Sequence, residues 1–413
     1  MKSSTGRWVS GENFFDRETD LNILKNLIQD RNHVLLTGQR RMGKTSIMQE
    51  LGRQLQGDGW TFLFCDVEGA KCPEDVIAEM AYSAHTVQSL IRRFIGGMDQ
   101  WIRKRIEGFG VDAFRIKIRA EIDAGNWKRH GKNLLQACEK NRKPVLLVID
   151  ELPIFLKRML DHDQDPRRVD EFLSWLRGAF QRLSPDGPVL IVSGSIGLEP
   201  FVHRLKIPDR INYLYSYRLK PWNRNTCIRC FERLANSSGV SIENGVAEAV
   251  YEALGIGIPH HIQSFFRRLN DFAIRHQLDQ VTVEHVNLVY HTELLGPAGR
   301  IDLGHYRSRL KDALTEESYA IAETILAEAA IQGVFTSEAR TILEVEYGRI
   351  VKNAQEHIAE VLDVLIHDGY LILKDDGYRF SFRLLKDWWA ASFKENYIPL
   401  SKRQNWDKFR KPK

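Results

Sequence analysis

The sequence has no long apolar segment. Its first residues, Met1 to Gly6, do not resemble the apolar part of a signal peptide, and no stretch approaches the roughly 18 to 20 apolar residues that cross a bilayer. We therefore expect a cytoplasmic protein that does not enter a membrane.

Cysteine is scarce. The chain has five cysteines in 413 residues, and an odd number without a secretory signal indicates reduced thiols. Cys227 and Cys230 are the only close pair, and no second Cys or His pair stands at zinc spacing. We interpret them as structural residues of a helix, and a redox or metal role is the less favoured alternative.

Internal repeats and low-complexity linkers are also missing. The composition, 43% apolar and 27% charged, is that of an ordinary globular protein. A length of 413 residues exceeds what one hydrophobic core usually serves, so we expect several modules.

What the sequence does contain is a phosphate-binding loop (P-loop). Residues 38 to 45 read Gly-Gln-Arg-Arg-Met-Gly-Lys-Thr, the pattern G-x-x-x-x-G-K-[ST]. The apolar run His33 to Thr37 predicts a buried strand before the loop, and Thr45 to Leu55 predicts a helix after it. This strand-loop-helix setting is the one in which the motif binds nucleotide, and it argues against a chance match.

Four residues of the loop carry the expected chemistry. Gly38 and Gly43 permit the tight turn, Lys44 supplies a positive charge for the β and γ phosphates, and the Thr45 hydroxyl is a ligand for Mg²⁺. We predict ATP and Mg²⁺ as the bound species. The residues predicted to surround the phosphates are those of the loop and the residue after it: Gly38, Gln39, Arg40, Arg41, Met42, Gly43, Lys44, Thr45 and Ser46.

A second motif ends the apolar run that starts at Val145. This predicted strand finishes in Asp150 and Glu151. Asp150 is predicted to hold Mg²⁺ together with Thr45, and Glu151 to orient the water that attacks the γ phosphate. Alone, such a pair could be a solvated strand end, but after a P-loop the catalytic interpretation is favoured.

With these motifs in this order, the N-terminal two thirds of the chain resembles the archaeal-type AAA+ ATPases, which are related to the STAND signal-transduction NTPases. Residues 14 to 21, Phe-Phe-Asp-Arg-Glu-Thr-Asp-Leu, resemble the F-x-G-R-E-x-E-L element that precedes the P-loop in that family. The resemblance implies that Phe15 and Arg17 lie near the adenine. Asp16 stands where the family usually has glycine.

The resemblance also implies residues that sense or complete the catalytic site. Ser195 follows another apolar strand at the position called sensor 1, where a polar side chain reads the γ phosphate, although a plain strand-end turn is an equal alternative. Arg210 is the candidate for an arginine finger that acts on a neighbouring subunit. Arg204 lies on the same stretch, and for either residue an exposed arginine without this duty is the alternative.

Gly257-Ile258-Pro259 resembles the G-x-P element with which STAND proteins bring a helical lid over the nucleotide. Pro259 and His260 are therefore predicted to contact the nucleotide. His260 and His261 stand where relatives often carry an arginine, so a switch that titrates, simple packing, or helix punctuation remain the alternatives.

The predicted fold class is an α/β P-loop NTPase core of the AAA+ (ASCE) type with a parallel sheet, an α-helical lid and a C-terminal winged-helix domain. Further strands are expected at Trp60 to Val67, Val189 to Val192 and Ile211 to Leu219, and Gly296-Pro297-Ala298-Gly299 is expected to separate the lid from the last domain. The predicted boundaries are 1–220 for the core with a helical insertion at about 82–137, 221–295 for the lid, 296–395 for the winged helix and 396–413 for a basic tail.

The insertion is basic. Residues 82–137 contain eleven Lys or Arg and five Asp or Glu, a net charge of +6 against +5 for the whole chain. Aromatic residues, Trp101, Phe109, Phe114 and Trp127, stand among the basic ones, which suggests a grip on nucleic-acid phosphates. A solvated basic face is the alternative.

The predicted winged helix has helices near Glu316 to Gln332, Ser337 to Tyr347 and Val351 to Ile366, and then a hairpin around Asp375-Asp376-Gly377. The third helix is mostly acidic and would repel DNA, so docking of a protein partner is favoured over DNA binding. The tail is expected to be mobile, and it could dock on an acidic partner.

The sequence thus predicts a Mg²⁺-dependent ATPase that acts as a nucleotide-driven conformational switch, with a protein partner and a nucleotide-dependent homo-oligomer as expected associations. Two alternatives stay open. One is a DNA-associated AAA+ motor or loader that uses the basic insertion, and the other is an ADP-holding signalling scaffold with little turnover, against which the intact Asp150 and Glu151 pair argues.

Overall fold

The computed structural model describes residues 6–96, 111–194 and 197–403. Its contacts divide the chain into two compact units. The core unit consists of Trp8–Gly38 and Gly43–Leu219. The C-terminal unit consists of Lys220–Lys413 together with Met1–Arg7 and the four middle residues of the P-loop, Gln39–Met42.

The core unit is built on a parallel five-stranded sheet. Its strands are β1 (Val34–Thr37), β2 (Thr61–Asp66), β3 (Val145–Asp150), β4 (Val189–Ser193) and β5 (Tyr215–Arg218), in the order β2-β3-β4-β1-β5. Every residue of β1, β3 and β4 is buried, as the continuous apolar runs predicted, because helices cover both faces of a parallel sheet. The α/β core with a parallel sheet is therefore confirmed.

The described helices of the core unit precede β1 or lie between successive strands in the sequence. They are α1 (Glu18–Gln29), α2 (Lys44–Gly57), α3 (Pro73–His85), α4 (Gln88–Gly96), α5 (Val111–Glu121), α6 (Trp127–Glu139), α7 (Leu152–Asp163), α8 (Pro166–Gln181) and α9 (Leu198–Arg204).

The fifth strand is shorter than predicted. Instead of Ile211 to Leu219, only Tyr215–Arg218 pairs with β1. The preceding residues form a 3-10 turn at Pro208–Arg210 and a further turn in which Leu214 N–H donates to Ile211 O at 3.0 Å. Local turn bonds thus occupy backbone groups that a longer strand would need.

The described parts of the basic insertion are mainly helical, and two of its predicted aromatic residues are buried. Phe114 and Trp127 are 1% and 3% exposed and belong to the hydrophobic core, so these two rings are not available at the surface. Trp101 and Phe109, with the basic residues at 103 to 105, lie outside the described residues. Two of the described arginines are paired with α3: Arg115 with Glu79, and Arg119 with Asp75.

The C-terminal unit is mainly helical. Its elements are α10 (Arg224–Ser238), α11 (Val246–Leu254), α12 (Pro259–Arg275), α13 (Val283–Val289), α14 (Pro297–Ala313), α15 (Glu316–Ile331), α16 (Ser337–Gly348), α17 (Ala354–His367), β6 (Leu371–Lys374), β7 (Gly377–Phe380), α18 (Arg383–Phe393) and α19 (Leu400–Arg403). The antiparallel pairing of β6 with β7 is the hairpin that the turn sequence predicted.

Three local details differ from the prediction. The last lid helix ends at Val289 and continues as a π-helical turn, Tyr290–Leu294. The predicted break at Gly296 is instead the N-cap of α14, with Pro297 in the first turn, where proline is tolerated. The third winged-helix helix begins at Ala354 rather than Val351, because Asn353 has left-handed backbone geometry (φ 60°).

Candidate nucleotide-binding site

The P-loop connects β1 to α2 through two left-handed glycines. Gly38 has φ 145° and Gly43, the N-cap of α2, has φ 88°. A Cβ atom on Gly38 would lie 2.9 Å from the Leu219 carbonyl oxygen, so the site requires glycine for space as well as for conformation. The turn leaves the N-terminus of the 14-residue helix α2 at the carboxyl edge of the sheet, where it can receive an anion.

Lys44 is buried, with 7% of its side chain exposed, and its Nζ donates to the Gly38 carbonyl oxygen at 2.8 Å. The ammonium group is thus held across the loop. A phosphate oxygen is a stronger, charged acceptor than a carbonyl oxygen, so this side chain is suited to exchange one for the other.

Asp150 collects three donors at the end of β3. Its Oδ2 accepts from Thr45 Oγ1 at 2.8 Å, and its Oδ1 accepts from Ser193 Oγ at 2.5 Å and from Glu151 N–H at 3.0 Å. The aspartate is 4% exposed, and these hydrogen bonds replace the water that its carboxylate loses on burial. The fold therefore brings the predicted metal ligands Thr45 and Asp150 into direct contact.

Glu151 marks a sharp change of direction. Its backbone is left-handed (φ 60°), and it is the N-cap of α7, which starts at Leu152 with a proline in its first turn. Non-glycine residues in this conformation are uncommon and occur often at functional sites. Glu151 directly follows Asp150, the predicted Mg²⁺ ligand, and this position suits its predicted role of orienting the attacking water.

Two residues at this edge were missed by the sequence reasoning. Ser193 is fully buried and donates to Asp150, but the sequence offered Ser193 and Ser195 in one short motif and the prediction selected Ser195. Asp66, the last residue of β2, is in register with Asp150. Burial, followed by the charge of Asp150, raises the pKa of Asp66. Its position as the final carboxylate of a predicted strand was the available signal.

The segment before α1 carries Phe15 and Arg17. Asp16 and Arg17 both have left-handed backbone geometry (φ 59° and 78°), a conformation that glycine adopts at no steric cost. Arg17 is 7% exposed, and burial lowers its pKa although Asp20 accepts a hydrogen bond from its Nη1 at 3.2 Å. Tyr217 of β5 donates to the same aspartate at 2.5 Å. This network places Arg17 firmly, and its contact with adenine stays a prediction.

Ser46 holds the N-terminal segment beside the loop. Its Oγ accepts from Val9 N–H at 3.1 Å, and one turn later the Glu50 carboxylate accepts from Gly11 N–H at 2.8 Å. Burial alone would raise the pKa of Glu50. Hydrogen bonds from the Arg53 side chain, the Gly11 N–H and the Gln54 side chain outweigh burial and bring the pKa to about 2. The first helix turns after the P-loop thus anchor residues 9 to 11.

The four middle P-loop residues group with the C-terminal unit. Gln39 Nε2 donates to the Gly369 carbonyl oxygen at 3.0 Å, and Arg41 Nη1 lies 2.9 Å from both ring nitrogens of His260, in the first turn of α12. Arg41 has φ 65°, and burial lowers the pKa of its guanidinium. Met42 is 1% exposed.

A cluster of rings surrounds this contact. His261 Nε2 and the Tyr306 hydroxyl lie 3.0 Å apart and are buried. Burial and then the neighbouring charges of His260 and Arg41 lower the pKa of His261, and burial followed by Arg41 lowers that of His305 to about 2. His261 and His305 therefore do not add positive charge near the arginine at neutral pH. Pro259 is buried at the start of α12.

Of two further predicted residues, one is not described and the other remains apart from these groups. Ser195 lies outside the described residues. Arg210 is ion-paired in its own chain, with its Nε 2.5 Å from Asp170 Oδ1 and its Nη1 2.5 Å from Asp209 Oδ2, and the Asp170 hydrogen bond raises its pKa. An arginine finger at this position would first have to leave these partners.

Cys227 and Cys230 are buried on α10 and are not joined by a disulfide bond. Among the described residues, no group of three or more His, Cys, Asp or Glu could hold a metal. Thr45 and Asp150 would supply only part of a Mg²⁺ shell, which suits an ion that is bound by one or two protein ligands together with phosphate and water. No helix in the described parts of the chain is long and apolar enough to span a membrane.

Comparison with solved structures identifies the fold. A Walker-type ATPase of Pyrococcus abyssi superposes with a TM-score of 0.65 at 17% identity, and the match covers 94% of this chain and 99% of that one. Aeropyrum pernix ORC1, solved in complex with DNA, matches at 15% identity and a TM-score of 0.44, over 95% of both chains. The RuvB Holliday junction branch migration motor of Thermotoga maritima matches at 15% identity and 0.45, over 94% of this chain and 98% of that chain. No protein-family model and no curated protein matches the sequence. The chain has the fold of the Walker-type ATPase of Pyrococcus abyssi.

Proposed function

We propose that this protein binds ATP with Mg²⁺, hydrolyses it, and uses the bound nucleotide to switch the contacts of its C-terminal unit. Binding and hydrolysis of ATP are supported by the side chains at the carboxyl edge of the sheet. Lys44 Nζ donates to the Gly38 carbonyl oxygen at 2.8 Å, and Thr45 Oγ1 donates to Asp150 Oδ2 at 2.8 Å. Oxygen ligands of this kind fit Mg²⁺, which would neutralise charge on the phosphates.

Each residue has a separate role in this proposal. Lys44 exchanges the Gly38 carbonyl for phosphate oxygens, and the backbone N–H groups at the start of α2 bind the remaining phosphate charge. Asp150 and Thr45 hold the metal. Glu151 accepts a proton from the attacking water or orients it, and Ser195 senses the γ phosphate.

The experiment compares nucleotide binding and steady-state hydrolysis in two variants. Lys44→Ala is expected to abolish nucleotide binding, whereas Glu151→Gln should keep binding and trap the ATP state. Hydrolysis by Glu151→Gln at the wild-type rate would show that the catalytic assignment is wrong.

The second part of the proposal, the switch, is supported by the residues of the P-loop that belong with the C-terminal helices. Gly38 and Gly43 are part of the core unit, but Gln39 and Arg41 between them contact Gly369 and His260. Because a phosphate in the loop constrains the backbone on both sides of Arg41, nucleotide state and these two contacts are expected to be linked. Pro259 and His260 would then report nucleotide state to α12.

A double-mutant cycle tests the link. The variants are Arg41→Ala, His260→Ala and their combination, and the measurement is the dissociation rate of a fluorescent ADP analogue, with Arg41→Lys as the charge-preserving control. A hydrogen bond to a charged group contributes about 1.5–3 kcal/mol, so the two single effects should be non-additive by tenfold or more. Single effects that simply multiply would refute the link between this contact and the nucleotide.

The acidic third helix of the C-terminal domain supports a protein partner. Glu356, Glu360 and Asp363 are exposed on α17, while its apolar side, including Ile358 and Leu365, is buried. Such a face repels phosphate and suits a basic surface. A winged helix that docks a protein, and a relationship to the STAND proteins, are parts of this proposal.

A DNA-associated motor or loader is the second candidate, and the net charge of +6 in residues 82–137 favours it. Arg92 and Arg93 are exposed on α4 and could contact phosphates. Binding of duplex DNA that falls steeply between low and physiological salt, and that weakens further in Arg92→Glu, would support this candidate. Absence of binding at low salt would eliminate it.

A further inference from the structure

A groove lies on the core unit between α6 and α8. It has a volume of about 600 Å³ and a floor of four mostly apolar side chains, Leu135, Trp175, Ala179 and Leu183. The residues that line the groove extend along α6 from Lys128 to Glu139, and along α8 from Glu171 to Leu183 just past its end. None of them belongs to the P-loop or to the end of β3, so the groove is separate from the nucleotide site.

The floor of the groove is preformed by two glycines. A Cβ atom on Gly131 would lie 2.3 Å from the indole ring of Trp175, so α6 needs glycine there for the ring to fit. The indole also makes an edge contact with Trp127 at 5.0 Å between ring centroids, which holds its plane. One turn along α8, a Cβ atom on Gly178 would meet only the Arg182 guanidinium, at 3.7 Å, and the space above Gly178 is open.

The rim of the groove is positively charged. Four basic residues line it, Lys128, Arg129, Lys132 and Arg182, against two acidic ones, Glu139 and Glu171. Both carboxylates already accept from the protein: Glu171 is 2.5 Å from Lys128 Nζ, and Glu139 accepts from Ser184 N–H at 2.7 Å, a hydrogen bond that lowers the pKa of Glu139. With four basic residues against two acidic ones, the rim carries a net charge of +2.

We propose that this groove binds a small amphipathic organic anion, with a flat apolar body on Trp175 and one acidic group between Lys132 and Arg182. A volume of 600 Å³ is typical of small-molecule sites, and a mostly apolar floor with a few charged groups is their usual chemistry. The aromatic face favours a flat ring system, and the charge of the rim selects an anion over a neutral or cationic analogue.

The test uses two fluorescent probes that differ only in charge. Anilinonaphthalene sulfonate carries an aromatic body with one sulfonate, and phenylnaphthylamine has the same body without it. We expect the sulfonate to bind one site at least tenfold more tightly than the neutral probe. Lys132→Glu and Arg182→Glu should each weaken the sulfonate about tenfold and leave the neutral probe unchanged.

A third variant tests the location. Gly178→Leu places a side chain in the open space of the groove and should abolish binding of both probes, whereas Arg142→Glu, an exposed charge reversal on the loop before β3, should change neither. Nucleotide binding, measured in the same variants, reports that each is folded.

Three results would overturn the proposal. The first is equal affinity for the two probes, which would remove the selection for an anion. The second is unchanged sulfonate binding in Gly178→Leu, which would place the probe elsewhere. The third concerns competition for the bound anilinonaphthalene sulfonate. If an acidic amphipathic helical peptide displaces this probe at a lower concentration than naphthalene sulfonate does, the groove would be reassigned to a docked helix.

Discussion

The hydrogen bond from Ser193 to Asp150 leads to the sharpest prediction. The Ser193 hydroxyl and the Asp150 carboxylate are 2.5 Å apart, and the two residues are 0% and 4% exposed. In Ser193→Ala the carboxylate keeps only the donors from Thr45 and from its own neighbour Glu151. A hydrogen bond to a charged group contributes about 1.5–3 kcal/mol, and water cannot replace a donor at a buried position.

We therefore expect Ser193→Ala to lower the free energy of unfolding of the core unit by about 2 kcal/mol, roughly a 30-fold change in the unfolding equilibrium. The measurement is urea denaturation, followed by the tryptophan fluorescence of the core. Ser174→Ala is the matched control, because Ser174 also donates to an aspartate, Asp170, at 3.2 Å, but at a half-buried site. Its expected loss is below about 0.5 kcal/mol, as for most surface changes.

A double-mutant cycle combines Ser193→Ala with Asp150→Asn, which removes the negative charge from the acceptor. In that background Ser193→Ala should cost clearly less than in the wild type, because a neutral acceptor makes a weaker hydrogen bond. A loss in Ser193→Ala no larger than that in Ser174→Ala would refute the account of how Asp150 is held.

Three further predictions concern the same unit. Burial lowers the pKa of His33 to about 4 from an ordinary 6.5, so the unfolded state binds more protons than the folded state between these values. The free energy of unfolding should therefore fall as the pH drops from about 6.5 to 4, by about 3 kcal/mol. His33→Gln should flatten this fall in urea titrations at pH 7 and pH 4.5, and an unchanged fall would contradict the prediction. Glu50→Gln weakens the hydrogen bond to Gly11 and should expose the segment before α1 to trypsin at least several-fold faster, whereas equal digestion rates would show that the segment is held by other contacts. Gly38→Ala combines φ 145° with a 2.9 Å approach to a carbonyl oxygen, so nucleotide affinity should drop tenfold or more in a fluorescence titration, and wild-type affinity would show that the loop tolerates a side chain.

The parts of the fold that sequence predicts well are those fixed by local pattern. The apolar runs that became β1, β3 and β4 are buried at every residue, and the P-loop, with its strand and helix, lies where the motif requires. The hairpin of β6 and β7 follows from its Asp-Asp-Gly turn. In each case neighbouring residues alone specify the structure.

The parts that sequence could not supply depend on residues far apart in the chain. Gln39 contacts Gly369 across 330 positions, and no local pattern identifies that pair. The helix α14 was overlooked although its buried residues, Leu303, Tyr306, Leu310 and Ala313, recur at helical spacing. The fifth strand was predicted too long because turn bonds compete with sheet pairing before Tyr215. Ser193 was passed over because only the register of β3 with β4 shows that it faces Asp150.

The charge pattern of the insertion was also misleading in part. Sequence places basic and aromatic residues side by side, but the fold buries Phe114 and Trp127 and pairs Arg115 and Arg119 with acids of α3. An amphipathic helix of this composition is equally suited to packing and to phosphate binding, so its role depends on which side the core covers.

The central claim is that Lys44, Thr45, Asp150 and Glu151 form a working ATPase site. Its most direct test is steady-state release of phosphate from ATP by the full chain with Mg²⁺, with and without duplex DNA, and with Glu151→Gln as the blank. The account predicts Mg²⁺-dependent release by the wild type that is lost in Glu151→Gln while ATP stays bound; no release by the wild type under any of these conditions, or equal release by Glu151→Gln, would contradict it.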